Sequence, residues 1–301
     1  MPTVIITENQ KWTCPLGVTS VDVQCIGGGG AGGGLLASDS TGGGGAGGSY
    51  AAKLNIVVIP EEEYDVIVGN GGESTYSTGG NGGGSYFKDS LTVFAQGGLG
   101  GGGTNVNGVN ASPGLGNSSS CIGDLVRKGG NGSYGSYLSN YSGAGGGAPG
   151  YSANGGNASY FNGGRGIPIY GGDGANGVSG VNSGLPGNNY GGGGSGAISV
   201  GYRTGVIGGA GAPGVVIITY DDGGEVEISS DMVTSSYLSP KMSYYDAVLL
   251  SSNFLTDSSI SAKISTELSV IDTSIKVANI KIKDSSGVIK HWWKLNYFNN
   301  D

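Results

Sequence analysis

The fold is decided by residues 21–34, which read VDVQCIGGGGAGGG. In the first half, Val21, Val23 and Cys25 alternate with polar residues, a pattern typical of a β-strand with one buried face. The second half is nearly pure Gly, which adds no side chain to a core and loses the most backbone entropy on folding. The junction at Ile26 therefore predicts a strand that leads into a segment stabilised by backbone hydrogen bonds.

Glycine dominates most of the chain. Of 301 residues 67 are Gly, and all but two of these lie between Gly27 and Gly224. The runs have no strict collagen period, and they leave three interpretations open: flexible loops, isolated tight turns, or extended threefold polyglycine-II helices that bond to each other side by side. We favour the third, because Gly permits close approach of backbones and because the many short returns resemble the tips of a bundle.

Apolar strands interrupt the glycine. Leu54, Ile56 and Val58 alternate with Lys53, Asn55 and Val57, and a second alternating run covers residues 64–68 after a turn at 60–62. This pattern predicts an antiparallel hairpin with one buried face.

Two further blocks complete the strands of this region. The sequence predicts a strand pair with a turn within 85–96, and a closing strand at 215–220. Together the strands predict a small antiparallel β-sandwich that carries the glycine-rich bundle.

Composition changes after Gly224, since residues 225–301 contain a single Gly. The sequence therefore predicts two domains, residues 1–222 and residues 223–301. The first is mainly β with a polyglycine-II-type bundle, and the second is a small β-rich or α+β domain for attachment or interaction. Ser239-Pro240 is a candidate helix start in the second domain, and residues 268–271, 275–283 and 288–298 favour strands.

Aromatic side chains in the second domain are candidates for an assembly interface. Trp292 and Trp293 are adjacent in a predicted strand, so one indole would lie on each of its faces. Tyr297 and Phe298 follow, and all four are large apolar groups of the kind that anchor interfaces.

Charge and cysteine content exclude several classes of protein. The net charge is −8 and no basic stripe is present, which argues against nucleic-acid binding. The three Cys show no CxxC spacing, so neither a disulfide framework nor a zinc site follows. We expect Cys14 and Cys25 to be small buried hydrophobic residues. The sequence shows no signal peptide and no membrane-spanning segment.

Catalytic motifs are missing from the sequence. His291 is the only His, and neither a GxSxG-like elbow nor a phosphate loop with its Lys accompanies it. Glu61, Glu62 and Glu63 form a carboxylate cluster, but they lie in a turn between strands, where a solvated tip is expected. We therefore expect no enzyme activity, no metal and no cofactor.

Tyrosines flanked by Gly, Ser and Asn are concentrated in residues 133–202. This mixture is typical of adaptable binding loops, because Tyr offers a rigid apolar ring with a polar tip. The alternative is that these rings cap the ends of the glycine bundle. The candidate receptor-binding residues are Tyr134, Tyr137, Tyr141, Tyr151, Tyr160, Phe161, Tyr170 and Tyr190.

Three segments in order resemble the glycine-rich domain of bacteriophage tail proteins. The first is residues 12–30, in which an aromatic residue, a Pro and a Gly-Val-Thr lead through a strand into poly-Gly. The second is residues 42–51 with the strand and glycines of 64–72, and the third is residues 208–220. The resemblance covers residues 1–222 and implies a β-sandwich-like scaffold with polyglycine-II loops.

The segmented Gly runs are also similar to the receptor-recognising adhesins of T-even-like phages. These resemblances imply a tail-fibre or tail-tip protein of the virion, extracellular after release, that binds a bacterial surface polysaccharide or outer protein. They also imply contacts with other tail or baseplate proteins and leave a homotrimer open. The alternative function is a structural baseplate or fibre component. The chain begins directly in the glycine-rich domain, so attachment to the particle would lie in residues 223–301, unless that domain is itself the tip.

Overall fold

A computed structural model describes residues 1–201 and 205–221, and beyond these only the strands at 226–227, 279–283 and 289–294. The chain divides into two compact units, Met1–Tyr220 and Asp221–Asp301. In chain order the strands are β1 (Thr3–Ile6), β2 (Gln10–Thr13), β3 (Ser20–Ile26), β4 (Ser40–Thr41), β5 (Tyr50–Val57), β6 (Glu63–Ile67), β7 (Ser85–Phe87), β8 (Val93–Ala95), β9 (Leu125–Arg127), β10 (Ile198–Ser199), β11 (Val215–Tyr220), β12 (Val226–Glu227), β13 (Asn279–Lys283) and β14 (Ile289–Lys294). The described residues contain no helix, and the fold is mainly β.

Two antiparallel sheets form the sandwich. One has the strand order β1-β11-β3-β5-β9, and the other has the order β2-β6-β7-β8. The closing strand β11 pairs with both β1 and β3, so the last strand of the unit is an interior strand of the larger sheet. This placement ties residues 215–220 to the N-terminus and confirms the predicted closure of one folding unit.

The core lies between the two sheets. Val21, Val23 and Cys25 of β3 are buried in one hydrophobic cluster with Trp12 of β2 and Phe87 of β7. The three alternating residues Val21, Val23 and Cys25 therefore form the buried face of β3, as predicted. Cys14 and Cys25 are both buried, as expected for small hydrophobic residues.

The predicted hairpin of residues 53–58 with 64–68 is wrong. β5 pairs with β3 and β9 in the larger sheet, whereas β6 pairs with β2 and β7 in the smaller one. The intervening loop bonds to residues 14–19 instead, since Glu61 N donates to Cys14 O and Val58 N donates to Thr19 O. An alternating pattern shows which face of a strand is buried but not which strand lies beside it. Two strands on opposite sheets of a sandwich bury their inner faces in the same core and show the same pattern as two paired neighbours.

A β-bulge corrects the predicted face of β5. Val21 lies opposite Ile56 and Val23 lies opposite Lys53, so β5 contains one extra residue between these pairs. Asn55 takes the extra position with φ of 53°, and its N–H donates to Asp22 Oδ1 at 2.8 Å. Ile56 is buried as expected, but Leu54 is exposed, because the bulge shifts the alternation by one residue.

The glycine segments form polyglycine-II helices, and residues 28–35 show this most clearly. The N–H groups of Gly28, Ala31 and Gly34 donate to one segment, at Gly83, Gly80 and Ser77. Those of Gly29, Gly32 and Leu35 donate to a second segment, at Ala212, Gly209 and Val206. Those of Gly30 and Gly33 donate to a third segment, at Ala46 and Gly43. The partner segment thus changes at each residue and returns at every third. A helix with three residues per turn and outward-pointing backbone groups produces this pattern.

The carbonyl groups of the same segment contact three other stretches of chain. Gly28 O and Ala31 O accept from Gly98 and Gly101, Gly30 O and Gly33 O accept from Gly194 and Ala197, and Gly29 O accepts from Gly72. Residues 28–35 are therefore surrounded by other segments of the described chain, and most of their backbone N–H and C=O groups are hydrogen-bonded to those segments.

One Ser joins the sandwich to the bundle. Ser85 is fully buried, and its Oγ donates to Ile26 O at 2.7 Å and accepts from Gly69 N at 2.9 Å. Replacing it, Ser85→Ala, leaves the buried Gly69 N–H without this acceptor. We expect the free energy of unfolding to fall by about 1–3 kcal/mol, measured by denaturant titration. Ser90→Ala, at an exposed position of the β7–β8 turn, is the control, and an equal loss for both variants would contradict the prediction.

In the second unit β14 pairs antiparallel with β13, and β13 pairs parallel with β12. The predicted strands at 275–283 and 288–298 are thus present over the described part of each, and they pair with one another. Tyr297, Phe298, the candidate helix start at Ser239 and the strand at 268–271 lie outside the described residues.

Candidate functional site

The glycine bundle has two ends. Strands β3, β5 and β11 continue directly into it, and segment 27–34 leaves the sandwich for about 25 Å at the ~3.1 Å rise per residue of this helix type. Loops that lie beyond the far ends of the helices form what we call the distal end. They are residues 35–40, 74–78, 104–110, 134–141, 159–162, 178–182 and 198–201.

Short polar side chains connect the distal loops to one another. Asn107 Oδ1 accepts from Ser38 N at 3.1 Å, and Asn140 Oδ1 accepts from Gly180 N at 2.8 Å. Asp39 Oδ1 accepts from Gly201 N at 2.8 Å across 162 residues of sequence. β4 and β10 also pair at this end. These bonds hold loops that are distant in sequence together at one end of the bundle.

The distal end exposes apolar side chains and carries little charge. Leu138 is 83% exposed and Tyr160 is 70% exposed, whereas the glycines inside the bundle, such as those of 27–34, are buried. Asp39 is the only carboxylate or cation within the described distal loops. The exposed apolar residues there are Leu36, Tyr76, Val106, Tyr134, Leu138, Tyr160, Phe161 and Val200.

Tyrosines at the distal end also border a cleft of about 500 Å³. The ring of Tyr141 contacts Tyr160 edge-on at 6.5 Å between centroids, and it contacts Phe161 at the same centroid distance. The cleft is lined by Pro113, Leu115, Asn131, Gly132, Ser133, Tyr134, Gly135, Tyr141, Ala158, Ser159 and Tyr160.

The eight predicted receptor-binding residues are divided between the two ends. Tyr134, Tyr137, Tyr141, Tyr160 and Phe161 lie in distal loops. Tyr170 and Tyr190 lie at the opposite end, half-buried against a second hydrophobic cluster that contains Ile26 and Ala148 on the outer face of the larger sheet. Tyr151 is also at that end, but it is exposed.

The sequence prediction missed several exposed residues of the distal end. Leu36, Tyr76, Val106, Leu138 and Val200 lie outside the predicted set, although all are exposed and large. A signal for them exists in the sequence, because each is a large apolar residue in a short non-Gly interruption between two Gly runs.

The predicted assembly residues of the second unit are only partly described. Trp292 and Trp293 lie in β14, opposite Lys281 and Ile280 of β13.

Reactive chemistry is sparse in the described part of the chain. Burial raises the pKa of the Cys25 thiol, and the nearby Cys121 thiol raises it further. Burial also raises the pKa of the Cys121 thiol, so both thiols favour the protonated form over the reactive thiolate. No group of His, Cys, Asp or Glu side chains among the described residues is arranged to hold a metal ion. Over the same ranges, no helix is both long and apolar enough to span a membrane.

The family model of the glycine-rich domain matches residues 5–221, which covers the sandwich and the bundle described above. No curated protein matches the chain.

Proposed function

We propose that this chain, which belongs to the glycine-rich domain family, is a bacteriophage tail-fibre or tail-tip protein whose distal end binds a receptor on the bacterial surface. The observation that carries the proposal is the cluster of exposed apolar residues at the distal loops. Several large apolar side chains exposed at one end of a protein are typical of a binding surface.

The construction of the bundle supports a recognition role. Its loops vary in sequence, but Asn and Asp side chains connect them to one another. Backbone hydrogen bonds connect the helices that carry these loops. Loops held in this way lose little entropy on binding. A rigid scaffold with loops rich in Tyr, Ser and Asn is also the general design of antibody binding surfaces.

Binding to bacterial cells tests the proposal. We expect the labelled full chain to bind at least one strain of a bacterial panel. We expect Tyr134→Ser, Leu138→Ser and Tyr160→Ser together, all at exposed distal positions, to reduce that binding by at least about tenfold, because the loss of a few central apolar contacts dominates most interfaces. Tyr151→Ser with Ile169→Ser is the matched control, since these exposed residues lie at the sandwich end of the bundle.

Two results would contradict the receptor-binding role. One is a wild-type chain that binds no strain, and the other is a distal variant that binds as strongly as the control. If the chain instead bound only purified tail or baseplate proteins, the structural role would replace receptor binding.

A further inference from the structure

We propose that the cleft bordered by Tyr134, Tyr141 and Tyr160 binds a neutral oligosaccharide. The inference rests on the proposed function for the distal end as the binding end, and it adds the chemical class of the ligand and the place where it binds.

The size of the cleft suits a small part of a glycan. Its volume of about 500 Å³ lies within the ~300–1,000 Å³ range of small-ligand sites. An open cleft of this size accommodates a few sugar units of a longer chain.

The lining supplies the two kinds of contact that a sugar uses. Tyr134 and Tyr160 present exposed rings, and aromatic faces pack against the C–H faces of pyranose rings. In the described part of the chain, no hydrogen bond uses the phenol groups of these two residues, so both can bond to sugar hydroxyls. Ser159 and the amide group of Asn131 add further polar groups to the wall.

Charge decides between neutral and acidic glycans. None of the residues that line the cleft is a Lys, Arg, Asp or Glu. An acidic sugar would lose hydration on entering and gain no counter-charge, which costs free energy, whereas a neutral sugar exchanges hydroxyl–water bonds for bonds to Tyr, Ser and Asn.

The walls of the cleft are fixed before a ligand arrives. Ser133 N donates to Ala144 O, and Ser133 O accepts from Gly44 N. The Oγ of Ser133 accepts from Ala144 N at 2.9 Å and donates to Tyr160 O. Asn131 Oδ1 accepts from Gly116 N at 2.8 Å. The edge contact with Tyr141 holds the ring of Tyr160. Pre-formed walls of this kind lower the entropic cost of binding.

An array of neutral and acidic bacterial oligosaccharides tests the assignment with the full chain. We expect binding to oligosaccharides of neutral hexoses and N-acetylhexosamines, and a loss of about tenfold for Tyr134→Ala and for Tyr160→Ala, the usual cost of removing a central aromatic contact. Tyr160→Phe keeps the stacking ring and should lose less than Tyr160→Ala. Tyr151→Ala is the matched control, because Tyr151 is 67% exposed at the other end of the bundle.

Three results would overturn the inference: no binding to neutral oligosaccharides, binding that requires acidic sugars, or equal binding by Tyr160→Ala and Tyr151→Ala. Thermal unfolding of each variant shows whether it is folded. The proposed function fails separately, when the wild type binds no bacterial strain. Binding to cells that is abolished by protease treatment, together with an empty array, would indicate a protein receptor and overturn the glycan assignment alone.

Discussion

Gly32→Ala is expected to lower the melting temperature of the glycine-rich unit by at least about 6 °C, although it adds a single methyl group. A Cβ at Gly32 would lie 1.9 Å from Ser195 O and 2.2 Å from Ser195 C. Both atoms are backbone atoms of another helix, so no side chain can rotate away. Overpacking typically costs about 1–3 kcal/mol, and a clash with backbone that cannot rotate away belongs at the upper end of this range. Each kcal/mol corresponds to roughly 2–4 °C in a unit of this size.

The control for this prediction is a glycine at the surface of the distal end. Gly201 has a φ of 83°, and no atom lies within 4 Å of the position of its Cβ. Because Asn adopts positive φ more readily than other residues, Gly201→Asn should cost about 1 kcal/mol or less. Calorimetry of the full chain measures both variants, and similar melting temperatures would show that the bundle is loose enough to accept side chains.

Phe87→Ala is expected to cost about 3–5 kcal/mol of unfolding free energy, the range found for large aromatic residues in cores. Phe87 is fully buried between the two sheets, with ring centroids 5.8 Å from Trp12 and 5.6 Å from Tyr64. Its loss would leave a cavity beneath both rings. Those rings belong to strands β2 and β6, whose backbones are paired and cannot collapse fully into the space.

Denaturant unfolding measures this effect, with Leu91→Ala as the control. Leu91 lies in the turn that follows Phe87 and is 80% exposed, so its truncation should change the free energy by less than about 0.5 kcal/mol. A small effect of Phe87→Ala would mean that the sandwich contributes little to stability and that the bundle holds the unit together alone.

The two variants address different sources of stability in one folding unit. The sandwich is stabilised by buried side chains such as Phe87 and Val23, and the bundle by bonds between backbone groups. Ile26 and Gly27 connect the two, and the backbone of Gly27 donates to Ser49 beside β5.

The sequence predicted local structure well where local chemistry decides it. The alternation in residues 21–25 marks the buried face of β3, and the run at 215–220 is the closing strand β11. Pairing between strands was harder to predict. Residues 53–58 and 64–68 belong to different sheets, because an alternating pattern states which face is buried and not which strand lies beside it.

For the candidate site, too, the sequence predicted the type of residue but not its position in the fold. Composition marked residues 133–202 as rich in Tyr, but it gave no information on the end of the bundle at which each ring lies. Tyr160 and Tyr170 are ten residues apart, yet the first is at the distal end and the second packs against the larger sheet. Each pass of the chain along the bundle reverses direction, so a difference of a few residues moves a side chain from one end to the other.

By itself, the sequence determined that residues 21–26 form a strand with one buried face. It also determined that the glycines after this strand must rely on backbone hydrogen bonds, because Gly has no side chain to bury. Only the tertiary structure decided which backbones meet. The partners of Gly28, Gly29 and Gly30 lie at Gly83, Ala212 and Ala46, in three different parts of the chain. Identical glycines cannot specify such a register. The side chains at the ends of the runs and the strands of the sandwich fix it, and the same register brings Tyr134, Tyr141 and Tyr160 to one cleft.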